Sequence, residues 1–150
     1  MNKIPVLKQA ILHDKIWKNE SLSKERYGIA IVGRISCGEF EIGECELEGY
    51  LEIPKSFLGS GEYFALRAKG NSMVDAGICE NDIVIIRINP SPDDGCIAAI
   101  RDGDQMILKR FYRLAETQQY LLHPENPDYH DIVTNNCDVL GVAVKVVKDI

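Results

Sequence analysis

Three observations predict a mainly β fold, a single domain of several short, strongly curled β-sheets preceded by a short N-terminal arm. From Tyr27 onward the 150-residue chain is a succession of short apolar runs rich in β-branched residues. Turn residues separate those runs at close intervals. Only one brief helical stretch interrupts them, near Ser72–Ile78. A 45% hydrophobic and 27% charged composition is that of an ordinary globular domain, and this length can bury a substantial core without disulfides or metal.

The elements follow in order. Residues 1–28 carry a net charge of +3, against −9 for residues 29–150. Ile4, Leu7 and Ile11 fall at helical spacing, and Pro5 suits a first helical turn. The polar run KNESLSKER then reads as a linker. This arm is too short for a complete helix-turn-helix domain, and its charge reads as a solvated face before a DNA-binding surface. The strand candidates are YGIAIVGRI, EYFALRA, NDIVIIRI, CIAAI, QMILKRFY, QYLL, DIVT and VLGVAVKVV. Asp102-Gly103 marks a tight hairpin between CIAAI and QMILKRFY. Asn89-Pro-Ser-Pro-Asp-Asp-Gly95 marks another turn.

The overall charge of −6 argues against non-specific nucleic-acid binding by the whole surface. No run approaches the roughly 20 apolar residues of a membrane span, and the N-terminus is too often interrupted by charge to be a signal peptide. Cys37, Cys45, Cys79, Cys96 and Cys137 are odd in number and form no C-x-x-C pair. They read as reduced thiols in a cytoplasmic protein, with no metal site and no cofactor.

Three places have the residue types of a reactive site. Lys109 lies two residues from Ile107 and from Phe111, on one face of a strand. Burial there would disfavour its charge and make it a general base. Alternatively its stem covers apolar surface while its head reaches water, and on alternation alone this second reading is favoured. Ser72 follows the bend Lys69-Gly70-Asn71. If a short helix begins at Ser72, backbone N–H groups converge there as an oxyanion hole requires. Alternatively Ser72 merely caps that helix. Ser36-Cys37-Gly38-Glu39 offers a sterically open peptide bond, or an ordinary surface turn. The glutamates at 39, 41, 44, 46, 48 and 52 read most simply as a solvated face.

In this order the three pieces resemble the self-cleaving domain shared by LexA-type repressors, phage repressors and UmuD-type mutagenesis proteins, the S24 peptidases. The matching runs are VGRISCGE, EGYLEIP, YFALRAKGNSMVDAGICENDIVII, MILKRFYR, LLHPENPDY and VLGVAVKVV, covering about residues 28–150. The most specific are G-N-S-M-x-D-x-G-I and L-K-R-F, with Ser72 and Lys109 separated by 37 positions.

The resemblance implies a fold with the β-clip and SH3-like elements of the LexA C-terminal domain. It implies a peptidase domain over residues 29–150, with a cleavage segment at 33–44. Ser72 becomes the nucleophile and Lys109 the neutral base that activates it. The N–H of Ser72, and secondarily that of Met73, becomes the oxyanion hole. Cys37-Gly38 becomes the bond the domain cuts in itself, and closure of that segment is coupled to deprotonation of Lys109. The implied partners are a second copy of the chain, the RecA filament on single-stranded DNA and, in the UmuD-like alternative, a translesion polymerase. Most LexA-type proteins have Ala-Gly at the cut bond, whereas Cys-Gly is the UmuD usage. EGYLEIP and LLHPENPDY are closer to the repressors, while the short arm is closer to UmuD. Direct operator binding by this chain is therefore not implied.

Other classes fit less well. Signal peptidase I has similar S-M and K-R motifs but needs a membrane anchor. An inactive dimerisation module would have no reason to keep both Ser72 and Lys109. A triad built on His123 or His130 would have to use a loop between prolines and aspartates. Finally, the apolar run Val139, Leu140, Val142, Val144, Val146 and Val147 is expected to help build a homodimer, as an uncovered edge strand would.

Overall fold

A computed structural model of the protein describes residues 20–21, 25–35 and 45–150. Ten strands run in chain order: β1 (Glu20–Ser21), β2 (Arg26–Ile35), β3 (Cys45–Pro54), β4 (Tyr63–Arg67), β5 (Ile83–Ile88), β6 (Ile97–Asp102), β7 (Gln105–Leu114), β8 (Gln119–His123), β9 (Ile132–Thr134) and β10 (Asp138–Val147). Two single-turn 3-10 helices, Lys55–Phe57 and Val74–Ala76, are the helical elements among the described residues. The fold is mainly β, as the sequence predicts.

Hydrogen bonding joins the strands into one open sheet in the order β1-β2-β4-β5-β10-β6-β7-β8-β9, with β3 added on β2. The β2–β4 pairing is parallel and the others are antiparallel. Alternate residues of the inner strands enter different cores. Ala30, Val32, Phe64, Leu66, Val84, Ile86, Ala99 and Leu140 pack in one cluster. Ile29, Ile31, Tyr63, Ala65 and Ile85 pack in a second. Ala98, Ile100, Phe111, Leu122 and Val139 form a third. Strands buried on both faces show no apolar–polar alternation. This is why IAIV, YFAL and IVII read as continuous apolar runs.

Several expectations are refined here. At the β6–β7 hairpin Asp102 is the last strand residue, paired with Gln105, and the loop is Gly103-Asp104. Gly103 takes the position of positive φ (+62°) that such a turn requires. The segment Cys45–Pro54, read as a glutamate-rich solvated face, is a strand along the length of β2. Glu46, Glu48 and Glu52 do face solvent, while Ile53 is buried. Glu20–Ser21, assigned to the linker, pair with Tyr27 and Gly28. The remaining expectations for the arm, including its helix at residues 4–11, lie outside the described residues.

β10 requires a correction, because it is not an uncovered edge. It inserts between two strands, pairing with β6 over Asp138–Val142 and with β5 over Gly141–Val147. Its apolar pattern reflects burial within its own domain. Among the described residues, only 143–147 keep the edge on the β6 side unpaired, and there Val146 and Val147 are exposed.

Candidate active site

β4 ends at Arg67, and the chain turns through Lys69-Gly70-Asn71 to Ser72. Gly70 has φ +72°, a conformation that side chains with a Cβ rarely adopt. The 3-10 turn begins only at Val74, and the flanking residue Met73 makes no side-chain cap. Ser72 is therefore not a helix cap, and the predicted helix is a single 3-10 turn. Met73 anchors the turn: its side chain is buried in the first core cluster, and its carbonyl accepts the N–H groups of Ala76 and Ile78. Among the described residues, the N–H groups of Ser72 and Met73 have no acceptor.

Lys109 comes from the middle of β7. It pairs with Ala98 on β6, a small neighbour in the ladder. On the other edge β8 ends opposite Arg110, so the ladder stops just beside the lysine. The flanking residues are held in different cores, Leu108 in the first and Ile107 and Phe111 in the third. The half-buried lysine reaches across to the serine turn, with Nζ 2.9 Å from Ser72 Oγ. As an ammonium it donates to that oxygen. As a neutral amine it would accept the hydroxyl proton. Burial lowers its pKa from the usual 10.5, and the charge of Asp102 opposes part of that effect.

Both side chains open into a cleft of about 210 Å³. Its apolar part includes Leu66, Ala68, Met73, Met106, Ile107 and Leu108, and the exposed Tyr129 also lines it. A smaller depression adjoins it, lined by Val32, Gly33 and Glu48 and sharing Leu66, Arg67, Lys69, Gln105 and Met106 with it. The groove therefore extends from Ser72 to the ends of β2 and β3 from which residues 36–44 depart. Cys37 and Gly38 lie outside the described residues. Neither His123 nor His130 lines the cleft, and His123 pairs with Asp131 at 2.6 Å instead. Among the described residues no His, Cys, Asp and Glu cluster could hold a metal, and Cys79, Cys96 and Cys137 are free thiols.

Sequence reasoning quoted Pro124–Tyr129 only within the matching run LLHPENPDY and missed that this segment buttresses the arrangement. Asn126 Nδ2 donates to the Asn71 carbonyl at 2.8 Å, and the Glu125 carbonyl accepts the Asp75 N–H at 2.9 Å. The Glu125 carboxylate pairs with Arg110, next to Lys109. Its sequence signal was Asn126-Pro127, a turn dipeptide directly after a strand.

Comparisons with known proteins identify the family. The Peptidase S24-like family model matches residues 30–144. The LexA repressor of Syntrophomonas wolfei is 33% identical over 129 residues, covering 86% of this chain and 62% of that protein. That of Frankia alni is 35% identical over 123 residues, covering 81% and 47%. LexA repressor 1 of Nocardia farcinica is 34% identical over 128 residues, covering 85% and 58%. The chain thus spans about half to three fifths of the length of these relatives. Among the described residues no helix is long and apolar enough to cross a membrane. With the family model matched over most of its length, this chain belongs to the Peptidase S24-like family.

Proposed function

We propose that the chain is a LexA-like regulator of the DNA-damage response that cuts its own Cys37–Gly38 bond with a Ser72–Lys109 dyad. The observation that carries this reading is the 2.9 Å contact between a serine and a half-buried lysine in a cleft. Few structural roles favour placing a lysine where burial opposes its charge. A base for a serine nucleophile requires it.

The chemistry follows from the groups present. Neutral Lys109 takes the proton of the Ser72 hydroxyl as Oγ attacks the carbonyl carbon of Cys37. The negative charge that develops on the carbonyl oxygen is held by the N–H of Ser72, with that of Met73 secondary. Collapse breaks the Cys37–Gly38 bond, and the Lys109 ammonium returns its proton to the departing Gly38 amine. An ester joins Cys37 to Ser72. Lys109, neutral again, then activates water to hydrolyse it.

Cleavage within one molecule is supported by the short length of chain between the groove and the cut bond. Gly33 lines the depression that adjoins the cleft. Four further residues reach Cys37, a span of roughly 13–14 Å when extended. Laying this segment over the cleft would remove more water from Lys109 and favour its neutral form. A RecA filament on single-stranded DNA would act by populating that closed state without supplying a catalytic group. A second copy would pair along 143–147 of β10, whose outer edge is open.

The test is mass spectrometry of the purified chain after incubation at alkaline pH. Fragments of 37 and 113 residues are expected, and Ser72→Ala should yield neither. Equal cleavage of parent and Ser72→Ala would remove Ser72 from the mechanism.

A further inference from the structure

Asn126 touches the serine turn from outside the dyad. Its side-chain amide is matched at both ends: Nδ2 donates to the Asn71 carbonyl at 2.8 Å, and Oδ1 accepts the Asp128 N–H at 2.9 Å. This pairing fixes which end is nitrogen. The Asn126 carbonyl also accepts the Tyr129 N–H at 3.1 Å. The segment is tied on two further sides. The Glu125 carbonyl holds the Asp75 N–H, and its carboxylate holds Arg110, whose Nη1 also donates to the Gly95 carbonyl at 2.6 Å. One short loop thus connects the turn carrying Ser72 to the strand carrying Lys109.

The Asn71 oxygen is a telling place to grip. Its other contact, from the Val74 N–H, is long at 3.4 Å. The Asn71 carbonyl and the Ser72 N–H belong to one peptide group, which is planar and trans, so the two point in opposite directions. Holding the oxygen on one side fixes the direction of the hydrogen on the other. That N–H has no acceptor among the described residues, and Ser72 lines the cleft.

We infer that Asn126 is a positioning residue that fixes the Asn71–Ser72 peptide plane and so aims the Ser72 N–H at the oxyanion. The inference rests on the self-cleavage proposed above and adds to it a residue outside the dyad.

The test compares the parent chain with Asn126→Ala and Asn126→Asp. The aspartate is nearly isosteric but, when ionised, only accepts hydrogen bonds, so it sets two acceptors against each other. Self-cleavage is followed across pH, with the exposed and distant Asn135→Ala as control. Both variants at 126 should lower the plateau rate on the order of 10²-fold, the scale of an impaired oxyanion donor. In Asn126→Ala the apparent pKa of the profile should not move, because Lys109 keeps its charged surroundings, whereas the added carboxylate of Asn126→Asp acts on Lys109 in the direction that Asp102 does. A rate within about twofold of the parent overturns the inference. So does a loss in Asn126→Ala accompanied by a shifted pKa, or one shared by Asn135→Ala.

A second measurement does not need cleavage. In the labelled parent, a coupling through the hydrogen bond should link Asn126 Nδ2 to the Asn71 carbonyl carbon, and Asn126→Asp should move the Ser72 amide resonance. If the parent never cuts itself, the functional proposal fails, and these resonances decide the positioning role. Absence of the coupling, or an unmoved Ser72 amide, overturns it.

Discussion

Lys109 reaches Ser72 from a strand whose nearby residues are anchored in separate cores, Leu108 in one and Phe111 in another. The position of its amine is therefore set by the packing on both sides of β7. A proton equilibrium follows from that position. Burial lowers the pKa of Lys109 and the Asp102 charge works against it. Raising the pH removes the ammonium proton, so unaided cleavage should accelerate with pH along a profile whose midpoint lies below 10.5. Asp102→Asn removes the opposing charge and should move the midpoint to lower pH. Lys109→Arg keeps a cation that cannot serve as a base, and should stop cleavage at every pH. A parent that cleaves fastest in acid would end the Ser–Lys mechanism.

Gly141 leaves no room for a side chain between β10 and β5. A Cβ there would lie 2.2 Å from the Arg87 carbonyl oxygen and 2.6 Å from Ile86 Cγ2. Backbone cannot yield as a side chain does, so the strands would have to separate. Gly141→Ala should destabilise the fold by about 3 kcal/mol, the upper end of ordinary overpacking, read from urea unfolding. A loss below about 0.5 kcal/mol, the scale of a neutral surface change, would contradict this packing.

Asp82 is the buried charged residue of the described chain, and Lys148 pairs with it from just beyond β10. The pairing with Lys148 and the Cys79 N–H lower the Asp82 pKa, while the pairing with Asp82 raises that of Lys148. The carboxylate contributes stability above its usual 3.8 and loses it as pH falls through the lowered folded value. The ammonium contributes below 10.5 and loses it as pH rises through the raised folded value. Lys148→Met should therefore lower the melting midpoint by a few degrees at neutral pH. The gap from the parent should narrow in strong acid and strong base. A gap constant across pH would assign the effect to packing alone.

Thiol reactivity should follow burial. Cys79 is exposed, whereas burial, aided by the Asp138 charge, raises the Cys137 pKa to about 11. The thiolate is the species that reacts, so alkylation of Cys137 near pH 8 should be on the order of 10²-fold slower than that of Cys79. Peptide mapping after timed exposure to iodoacetamide measures this. Equal rates would show that Cys137 is open to solvent in the native protein.

The strands were legible wherever both faces are buried, because Ile83–Ile88 and Tyr63–Arg67 need apolar residues at nearly every position. β3 was not recognised, since its glutamates at 46, 48 and 52 mark a single wet face that resembles a surface segment. The position of β10 was also illegible: an apolar strand looks the same whether its edges meet a second molecule or β5 and β6 of its own. For the site, the resemblance named Ser72 and Lys109, whereas strand alternation alone favoured the ordinary reading of Lys109 and the turn motif alone that of Ser72 as a helix cap. The role of Asn126 depends on a contact across 55 positions, which no local pattern reports.

The order of the sheet constrains the birth of the protein. β10, which follows the other nine described strands in the chain, is the one laid between β5 and β6. The earlier half brings Ser72 and the later half Lys109, and each half can be synthesised well before the strand that joins them. Until Asp138–Val147 has inserted, no strand pairing among the described residues joins the half that carries Ser72 to the half that carries Lys109, and only the loop at Glu125–Asn126 and side-chain packing link them. On the reading proposed above, self-cleavage would then wait for β10 to bind the two halves of the sheet together.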